Sequence, residues 1–232
     1  MKKIGLIIFA VALLVGVIFA NFISFGKADS GLMNFSFKRG VKGSGNVVTE
    51  TRDISGFKAI DVSGVFNVEI VAQKEFSVQI EADDNLLPLI KTEVNDGVLE
   101  ISTEKRIKSS SRMTIRISAP DIEKIEASGV AKVSLTELKN AGLTIDTSGA
   151  SKVIVAGETR DLNIEVSGAS KIDTENLSTV NADIEASGAS KVSVNVTGDL
   201  KADCSGASSV IYVGNPANIE KHSSGASKIE QR

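Results

Sequence analysis

The chain has 232 residues, of which 42% are hydrophobic and 24% charged, a composition that is ordinary for a folded protein of one or two domains. It has no tryptophan, one tyrosine and one histidine, and six of its nine phenylalanines lie in the first 40 residues, so the remainder has few aromatic residues for a globular core. Six Lys or Arg against one Asp give residues 1–45 a charge of +5, whereas twenty against twenty-eight acids give residues 46–232 a charge of −8. That acidic balance argues against nucleic acid as a partner.

The first 26 residues are predicted to be a membrane anchor or a signal segment. After Lys2 and Lys3, an uncharged run extends from Ile4 to Gly26, which at about 1.5 Å per residue is long enough to cross a bilayer core. A retained helix that contacts the membrane through residues 4–25 is favoured over a cleaved signal, because Ile18 and Ala20 make a poor cleavage site. Residues 27–45 are predicted to be a basic linker.

Residues 46–120 are predicted to be the irregular opening coils of a β-helix domain that spans residues 46–232. A degenerate copy of the later repeat begins at Phe57 and has a Ser63-Gly64 corner flanked by alternating apolar residues (Ile60, Val62, Val68 and Ile70). Alternation also predicts strands over residues 76–82 and 113–118, and residues 83–88 are expected to form a turn or one helical turn. Asp96-Gly97 predicts a hairpin over residues 92–101, which we expect to protrude.

Six near-copies of one short phrase dominate the regular repeats of residues 121–232. Each begins with Ser-Gly and most continue as Ala-Ser-Lys-Val or Ala-Ser-Lys-Ile; the copies start at Ser128, Ser148, Ser167, Ser187, Ser205 and Ser224. The interval is 18 to 20 residues, and a period near 20 residues is the signature of a solenoid, in which each repeat forms one coil stacked on the last. We number each repeat from its leading serine as position 0.

Apolar and polar residues alternate on both sides of the Ser-Gly corner. Positions −5, −3 and −1 are mostly apolar or small, as are positions +5 and +7, and no helical period occurs in this region. A strand, a corner and a second strand that recur in register predict an all-β fold, a parallel β-helix of about 19–20 residues per coil. Its core is expected to consist of Ile and Val columns, with coils about 4.8 Å apart.

Three columns of this predicted solenoid carry candidate site residues. Position +1 is glycine, which suits a corner that a Cβ would obstruct; these residues are Gly129, Gly149, Gly168, Gly188, Gly206 and Gly225. Position +4 presents outward lysines that are candidates for binding an acidic glycan, or that only keep the coils soluble and block lateral strand pairing; they are Lys132, Lys152, Lys171 and Lys191. Position −2 is acidic, and neighbouring coils would be close enough to share a Ca²⁺ ion; the candidate ligands are Asp146, Glu165, Glu185 and Asp203.

The last repeat and the single cysteine are predicted to be structural. Lys221 falls at the inward position −3 and His222 at position −2, and a charge inside the final coil discourages edge-to-edge growth of an open sheet. Cys204 occupies the inward position −1, where a thiol packs as a small apolar group, and it has no partner for a disulfide within the chain.

The repeated Ser-Gly-Ala-Ser-Lys-Val units and the lead-in from Phe57 to Val68 resemble the putative auto-transporter adhesin head domain, or GIN domain, of bacterial envelope proteins. The resemblance covers about residues 57–230. It implies a single-stranded right-handed parallel β-helix behind an N-terminal export or anchor segment, and it supplies no catalytic residues.

We therefore expect a non-enzymatic, envelope-anchored module outside the cytoplasm with a structural or adhesin-like binding role, or a secreted or periplasmic one if the N-terminal segment is cleaved. Expected partners are the membrane, envelope glycans or surface proteins, with no cofactor and no nucleic acid. One alternative is a polysaccharide lyase or hydrolase, although no repeat has the distinct carboxylate cluster that such an enzyme needs. Another is a scaffold that self-associates through the open ends of the β-helix.

Overall fold

A computed structural model describes residues 40–108 and 113–232, which form strands and one turn of 3-10 helix at Leu87–Leu89. The strands are β1 (Val41–Lys42), β2 (Val47–Arg52), β3 (Ala59–Gly64), β4 (Asn67–Val71), β5 (Ser77–Asp83), β6 (Ile90–Asn95), β7 (Val98–Thr103), β8 (Ile107–Lys108), β9 (Thr114–Ser118), β10 (Lys124–Gly129), β11 (Lys132–Gly149), β12 (Lys152–Val166), β13 (Lys171–Ala186), β14 (Lys191–Val196), β15 (Asp199–Cys204), β16 (Ser209–Val213), β17 (Asn218–Ser223) and β18 (Lys228–Gln231). The described part of the chain is all-β, as predicted.

The strands stack into two parallel layers, one on each side of the Ser-Gly corner. The layer before the corner runs β7, β3, β10, then the C-terminal halves of β11, β12 and β13, and finally β15 and β17. The layer after the corner runs β9, β4, the N-terminal halves of β11, β12 and β13, and then β14, β16 and β18. Each coil adds one strand to each layer, so the fold is a β-solenoid.

Equivalent residues of successive repeats are paired neighbours. Ile125 pairs with Ile145, Ile145 with Ile164, and Ile164 with Ile184, while the leading serines Ser128 and Ser148 pair in the same register. The predicted parallel stacking is therefore confirmed, whereas the right-handed winding stays a prediction.

Aliphatic columns fill the interior. At position −3 five isoleucines have no exposed surface, namely Ile60, Ile125, Ile145, Ile164 and Ile184. At position +5 the buried residues are Val68, Val133, Val153, Ile172, Val192 and Val210. Each such side chain gains about 1.5–3 kcal/mol on leaving water, and its neighbours in the column, one coil above and below, are also apolar. The period of the sequence thus fixes the position of the core.

The opening part of the domain contains one coil that follows the repeat, as predicted, and strands that do not. In the degenerate coil, Ile60 pairs with Ile125, Ser63 with Ser128, and Val68 with Val133, as predicted. The strand predicted over residues 76–82 is β5, which pairs antiparallel with both β2 and β9. Antiparallel strands therefore adjoin the first coils.

The predicted hairpin exists, but the expectation that it protrudes is wrong. Strands β6 and β7 pair antiparallel around Asp96 and Gly97, whose φ angles of 49° and 78° suit a tight hairpin turn. Strand β7 then pairs in parallel with β3, so that Leu99 lies beside Ile60. The reason is burial, because Leu99 and Ile101 extend the apolar columns of positions −3 and −1 into the core.

The C-terminal end of the predicted linker belongs to the folded unit. Strand β1 pairs in parallel with β8, and the Ser44 hydroxyl donates a hydrogen bond of 2.5 Å to the Asp84 carboxylate. The predicted membrane or signal segment, residues 1–26, lies outside the described residues. Within residues 40–108 and 113–232, no helix is long and apolar enough to span a bilayer.

The last coil has a charged residue over its open end. Lys221 pairs with Ala202 at position −3, and its ammonium group lies 4.3 Å from the centre of the Tyr212 ring and donates a hydrogen bond of 2.7 Å to the Tyr212 hydroxyl. The cation covers the aromatic ring. It also places a charge at the open end of the last coil, which discourages strand pairing with another chain.

Candidate functional site

The corner glycines allow the coils to approach each other closely. Their φ angles lie between 72° and 93° in the six regular repeats. A Cβ on Gly168 would lie 2.4 Å from the carbonyl oxygen of Gly149, and the other five corners leave at most 2.9 Å. The next residue, Ala169, donates its backbone N–H to that same oxygen at 2.7 Å. Glycine is required because the carbonyl of one corner occupies the space of a side chain on the next.

A ladder of buried serines supports most of the corners from inside. Position +3 is serine in most repeats, and Ser151, Ser170, Ser190 and Ser208 are 1–3% exposed. The Ser170 hydroxyl accepts a hydrogen bond of 3.1 Å from the backbone N–H of Ser151. The Ser208 hydroxyl donates to the carbonyl of Ser205 at 2.7 Å. These bonds satisfy corner groups that the strand ladders leave unpaired.

The outside of the corner is a row of small apolar residues. Position +2 is exposed in every coil, and we call this column the corner ridge: Val65, Val130, Ala150, Ala169, Ala189 and Ala207. Val65 and Val130 are 60% and 57% exposed. The ridge separates the two charged columns described next.

The acidic stripe is the column of outward carboxylates at position −2, made of Asp61, Glu126, Asp146, Glu165, Glu185 and Asp203, which are paired in register. With the leading serines it lines a groove of about 770 Å³ along the solenoid. Burial raises the pKa of the Asp61 carboxyl, and repulsion from Glu126 and Glu100 raises it further. Asp61 is thus repelled by the carboxylate of Glu126, its neighbour in the stripe.

Two lysines of the same layer neutralise part of this stripe. Lys124 lies 2.5 Å from Glu126 and 3.0 Å from Asp146, and Lys201 lies 3.8 Å from Asp203. In the described part of the chain, Glu165 and Glu185 have no ion pair.

The four predicted Ca²⁺ ligands (Asp146, Glu165, Glu185 and Asp203) lie in one column, with one carboxylate in each coil. Among the residues that the structure describes, no three His, Cys, Asp or Glu side chains are grouped to hold a metal ion. A shared Ca²⁺ would therefore have two carboxylates from neighbouring coils, fewer protein oxygens than a calcium site normally has.

The lysine stripe is the column of position +4 lysines, Lys132, Lys152, Lys171 and Lys191, in which each residue pairs with the next. All four are exposed. Over residues 40–108 and 113–232 none of them forms an ion pair, although other surface lysines do, such as Lys58 with Glu123 and Lys91 with Glu104. Each coil of this stretch thus carries an acid at position −2 and a lysine at position +4, on either side of the corner ridge.

A second polar column was not predicted. Position −6 alternates between acid and amide, as Asp161, Asn181, Asp199 and Asn218, and the amides of Asn181 and Asn218 donate hydrogen bonds of 2.8 and 2.7 Å to Asp161 and Asp199. The column lines a groove of about 1090 Å³. Its signal was present in the sequence, because Asp and Asn recur six residues before the leading serines.

The remaining polar candidates have structural surroundings. Cys204 is 4% exposed, and burial raises the pKa of its thiol, so its reactive thiolate is disfavoured. His222 is exposed, and its Nε2 lies 3.0 Å from Glu220.

The family model described as "Putative auto-transporter adhesin, head GIN domain" matches residues 56–216. The crystal structure of a putative adhesin from Bacteroides fragilis is similar with a TM-score of 0.68 and 22% identity, over 83% of this chain and 100% of that one. A putative adhesin and a putative lipid binding protein from Parabacteroides distasonis have TM-scores of 0.51 and 0.50, each with 18% identity over 83% of this chain and 99% of theirs. These likenesses show the fold alone. No curated protein matches the chain significantly.

Proposed function

This chain belongs to the auto-transporter adhesin head GIN domain family, an adhesin-like family of cell-surface proteins, and we propose that it is a non-enzymatic binding module anchored in the bacterial envelope. Its proposed ligand is a linear anionic polymer, such as an acidic glycan, held by the lysine stripe. We also propose that the β-helix winds in the right-handed sense, as the resemblance to this family implies.

The observation that carries this proposal is the unpaired state of the lysine stripe. Four lysines are stacked one per coil at intervals of about 4.8 Å. In the described part of the chain no carboxylate forms an ion pair with them, and the one electrostatic attraction is that of Glu175 for Lys171. A polymer with regularly spaced negative charges would neutralise all four while it lies along the solenoid axis. Each exposed pair is worth about 0.2–1 kcal/mol, so one chain would bind weakly and a surface carrying many copies would bind strongly.

The uniformity of the coils supports a non-enzymatic role. Hydrolases and lyases that act on polysaccharides place two carboxylates, or a base and a metal, at one point. Here the acidic stripe gives each coil a similar carboxylate beside a similar Ser-Gly corner. A surface without a unique point is suited to holding a repeating ligand along its length.

An anchored display follows from the predicted membrane segment together with the adhesin-like family. The intact mass of the mature protein tests this part directly: a retained segment leaves the full mass of 24.4 kDa. A mass lower by about the first 20 residues would show that the segment is cleaved and the protein released.

The binding experiment compares matched lysine variants of the full chain on an immobilised polyuronate. In the stripe variant Lys132, Lys152, Lys171 and Lys191 are changed to Gln, and in the control Lys74, Lys91, Lys105 and Lys139 are changed to Gln. Both lose four positive charges, and all eight lysines are exposed. We expect the control to bind as the wild type does and the stripe variant to lose binding, with the wild-type affinity falling as salt rises. Equal binding by the two variants would reject the proposal.

A further inference from the structure

In each of four successive coils, the carboxylate at position −2 lies on one side of the corner ridge and the lysine at position +4 lies on the other. The coil of Ser167 has Glu165 and Lys171, and the coil of Ser187 has Glu185 and Lys191. In both coils, within the described residues, neither charge is in an ion pair. The molecule therefore presents a negative and a positive line, with the same period, along one edge of the solenoid.

We propose that two copies of this chain associate side by side through the corner ridge, the lysine stripe of each copy lying against the acidic stripe of the other. The occupant is a second copy because its charges match in sign and spacing. Its stripes have the same interval of about 4.8 Å, since both arise from the coil rise of the same fold. A basic partner without stacked β-strands would match this interval only by coincidence.

The association has a defined orientation. Suppose that the two solenoid axes are parallel and that a two-fold axis parallel to them runs between the ridges. The lysine stripe of each copy then faces the acidic stripe of the other, so both stripes of both copies are paired at once. When the axes are antiparallel about a perpendicular two-fold axis, acid faces acid and lysine faces lysine. The charges therefore select the parallel pair, a closed symmetric dimer in which Lys171 lies opposite Glu165 of the second copy.

The corner ridge is suited to the centre of such an interface. Its residues are small, and Val65 and Val130 leave more than half of their surface in water. Small side chains let two backbones approach, and apolar contact at the centre with charge pairs at the rim is the usual arrangement of an interface. The groove of about 770 Å³ beside the ridge gives room for the lysine side chains of the second copy.

The parallel orientation also agrees with the proposed anchor. In a parallel pair the first coils of both copies, which follow the proposed anchor in the chain, lie at the same end of the dimer. The dimer occupies the lysine stripe, so it and an anionic polymer compete for the same residues. Loss of the dimer with polymer binding intact would overturn only the present inference.

Charge exchange on the full chain in detergent micelles tests the pairing, with the dimer followed by sedimentation equilibrium. Variant one carries Lys171→Glu and Lys191→Glu, variant two carries Glu165→Lys and Glu185→Lys, and variant three carries all four changes. We expect the wild type and variant three to dimerise, and variants one and two to be monomeric alone but to dimerise when mixed. A control with Lys105→Glu and Lys139→Glu, both off the stripes, is expected to dimerise like the wild type.

Salt dependence and cross-linking complete the test. The wild-type dissociation constant should rise at least about tenfold between about 0.1 M and 1 M salt, since the screening length falls from about 10 Å to about 3 Å. In the parallel dimer, Ala150→Cys and Ala207→Cys should each give disulfide-linked dimers when tested singly. The wild type, whose one thiol is the buried Cys204, should give none.

Four results would overturn the inference. They are a monomeric wild type at low salt, a dimer that survives in variant one or two alone, a monomeric variant three, and a cross-link that forms only when the Ala150→Cys and Ala207→Cys variants are mixed. The second result would place the interface elsewhere, and the last would indicate an antiparallel pair.

Discussion

Replacing one corner glycine with alanine tests the physical basis of the stacking. In Gly168→Ala the new Cβ would lie 2.4 Å from the Gly149 carbonyl oxygen and 2.9 Å from its nitrogen, at a φ of 91°. The unfavourable φ costs about 1–3 kcal/mol, and displacing the coil weakens the 2.7 Å hydrogen bond from Ala169, worth about 0.5–1.5 kcal/mol. We therefore expect the free energy of unfolding to fall by about 1.5–4.5 kcal/mol.

Two other glycines separate the steric effect from the backbone effect. Gly56 has a φ of 80° but no atom within 4 Å of an added Cβ, so Gly56→Ala should lose only the backbone part. At Gly142 the nearest atom is 3.7 Å away, and its φ is not in the left-handed region, so Gly142→Ala should be nearly neutral. The assay is thermal unfolding of the full chain followed by circular dichroism, where 1 kcal/mol corresponds to about 2–4 °C. If Gly168→Ala unfolds at the same temperature as Gly56→Ala, the close approach of the corners does not limit the fold.

Three further predictions concern the core and the titrating groups. Leu162→Ala should lower the free energy of unfolding by about 2–5 kcal/mol, because the Leu162 side chain is only 2% exposed. Ile219 holds the same position in the last coil but is 45% exposed, so Ile219→Ala should lower the free energy of unfolding far less in the same thermal melts. The pKa of the Asp61 carboxyl is higher in the folded chain than in the unfolded chain. The protonated carboxyl therefore stabilises the fold fully below the unfolded pKa, and this stabilisation is lost as pH rises through the folded pKa. Asp61→Asn should therefore melt above the wild type at pH 7 and lose that advantage in acid; a lower melting temperature at pH 7 would contradict the repulsion. Cys204 should react with a thiol reagent only as fast as the chain unfolds, so rapid labelling of the native chain would show that this edge opens.

The period of the sequence was sufficient to predict the regular coils, because a fixed interval carries both register and side-chain direction. Ile145 and Ile164 recur 19 residues apart, and a coil of that length returns each isoleucine above the last. Position −2 then had to be outward and position +3 inward, since strand side chains alternate and the corner turns the chain. The core and both charged columns follow from that one interval.

The opening coils were harder to predict because alternation carries no strand direction. Residues Ser77–Asp83 alternate like any other strand. Strand β4 is parallel to β9 and β5 is antiparallel to it, so the chain reverses between β4 and β5, within residues 72–76, where a regular repeat would continue its coil. The place of the hairpin was nevertheless readable. Leu99, Glu100, Ile101 and Ser102 match positions −3 to 0, and the absence of the following glycine concealed the match.

The ion pairs that distinguish one charged column from another could not be predicted from the period. Lys124 neutralises Glu126 and Asp146 from position −4, a position that is Thr144 and Asn163 in the next two coils. Whether a charge is satisfied depends on such departures from the repeat, and their effect is visible only when side chains are placed.

The chain has two ways of filling an outward column, and their contrast argues that the lysine stripe serves a partner. At position −6 acid and amide alternate, so each coil satisfies the next by hydrogen bonds of 2.8 and 2.7 Å. At position +4 four lysines are stacked without such hydrogen bonds.

Changing Lys152 and Lys191 to Glu would make the lysine stripe alternate in charge as well, with about 0.2–1 kcal/mol gained at each of three contacts. We expect this variant to melt about 1–12 °C above the wild type and to lose both polymer binding and the dimer. A variant that binds as before would show that the lysines have no partner, and a lower melting temperature would show that stacking them has no energetic penalty.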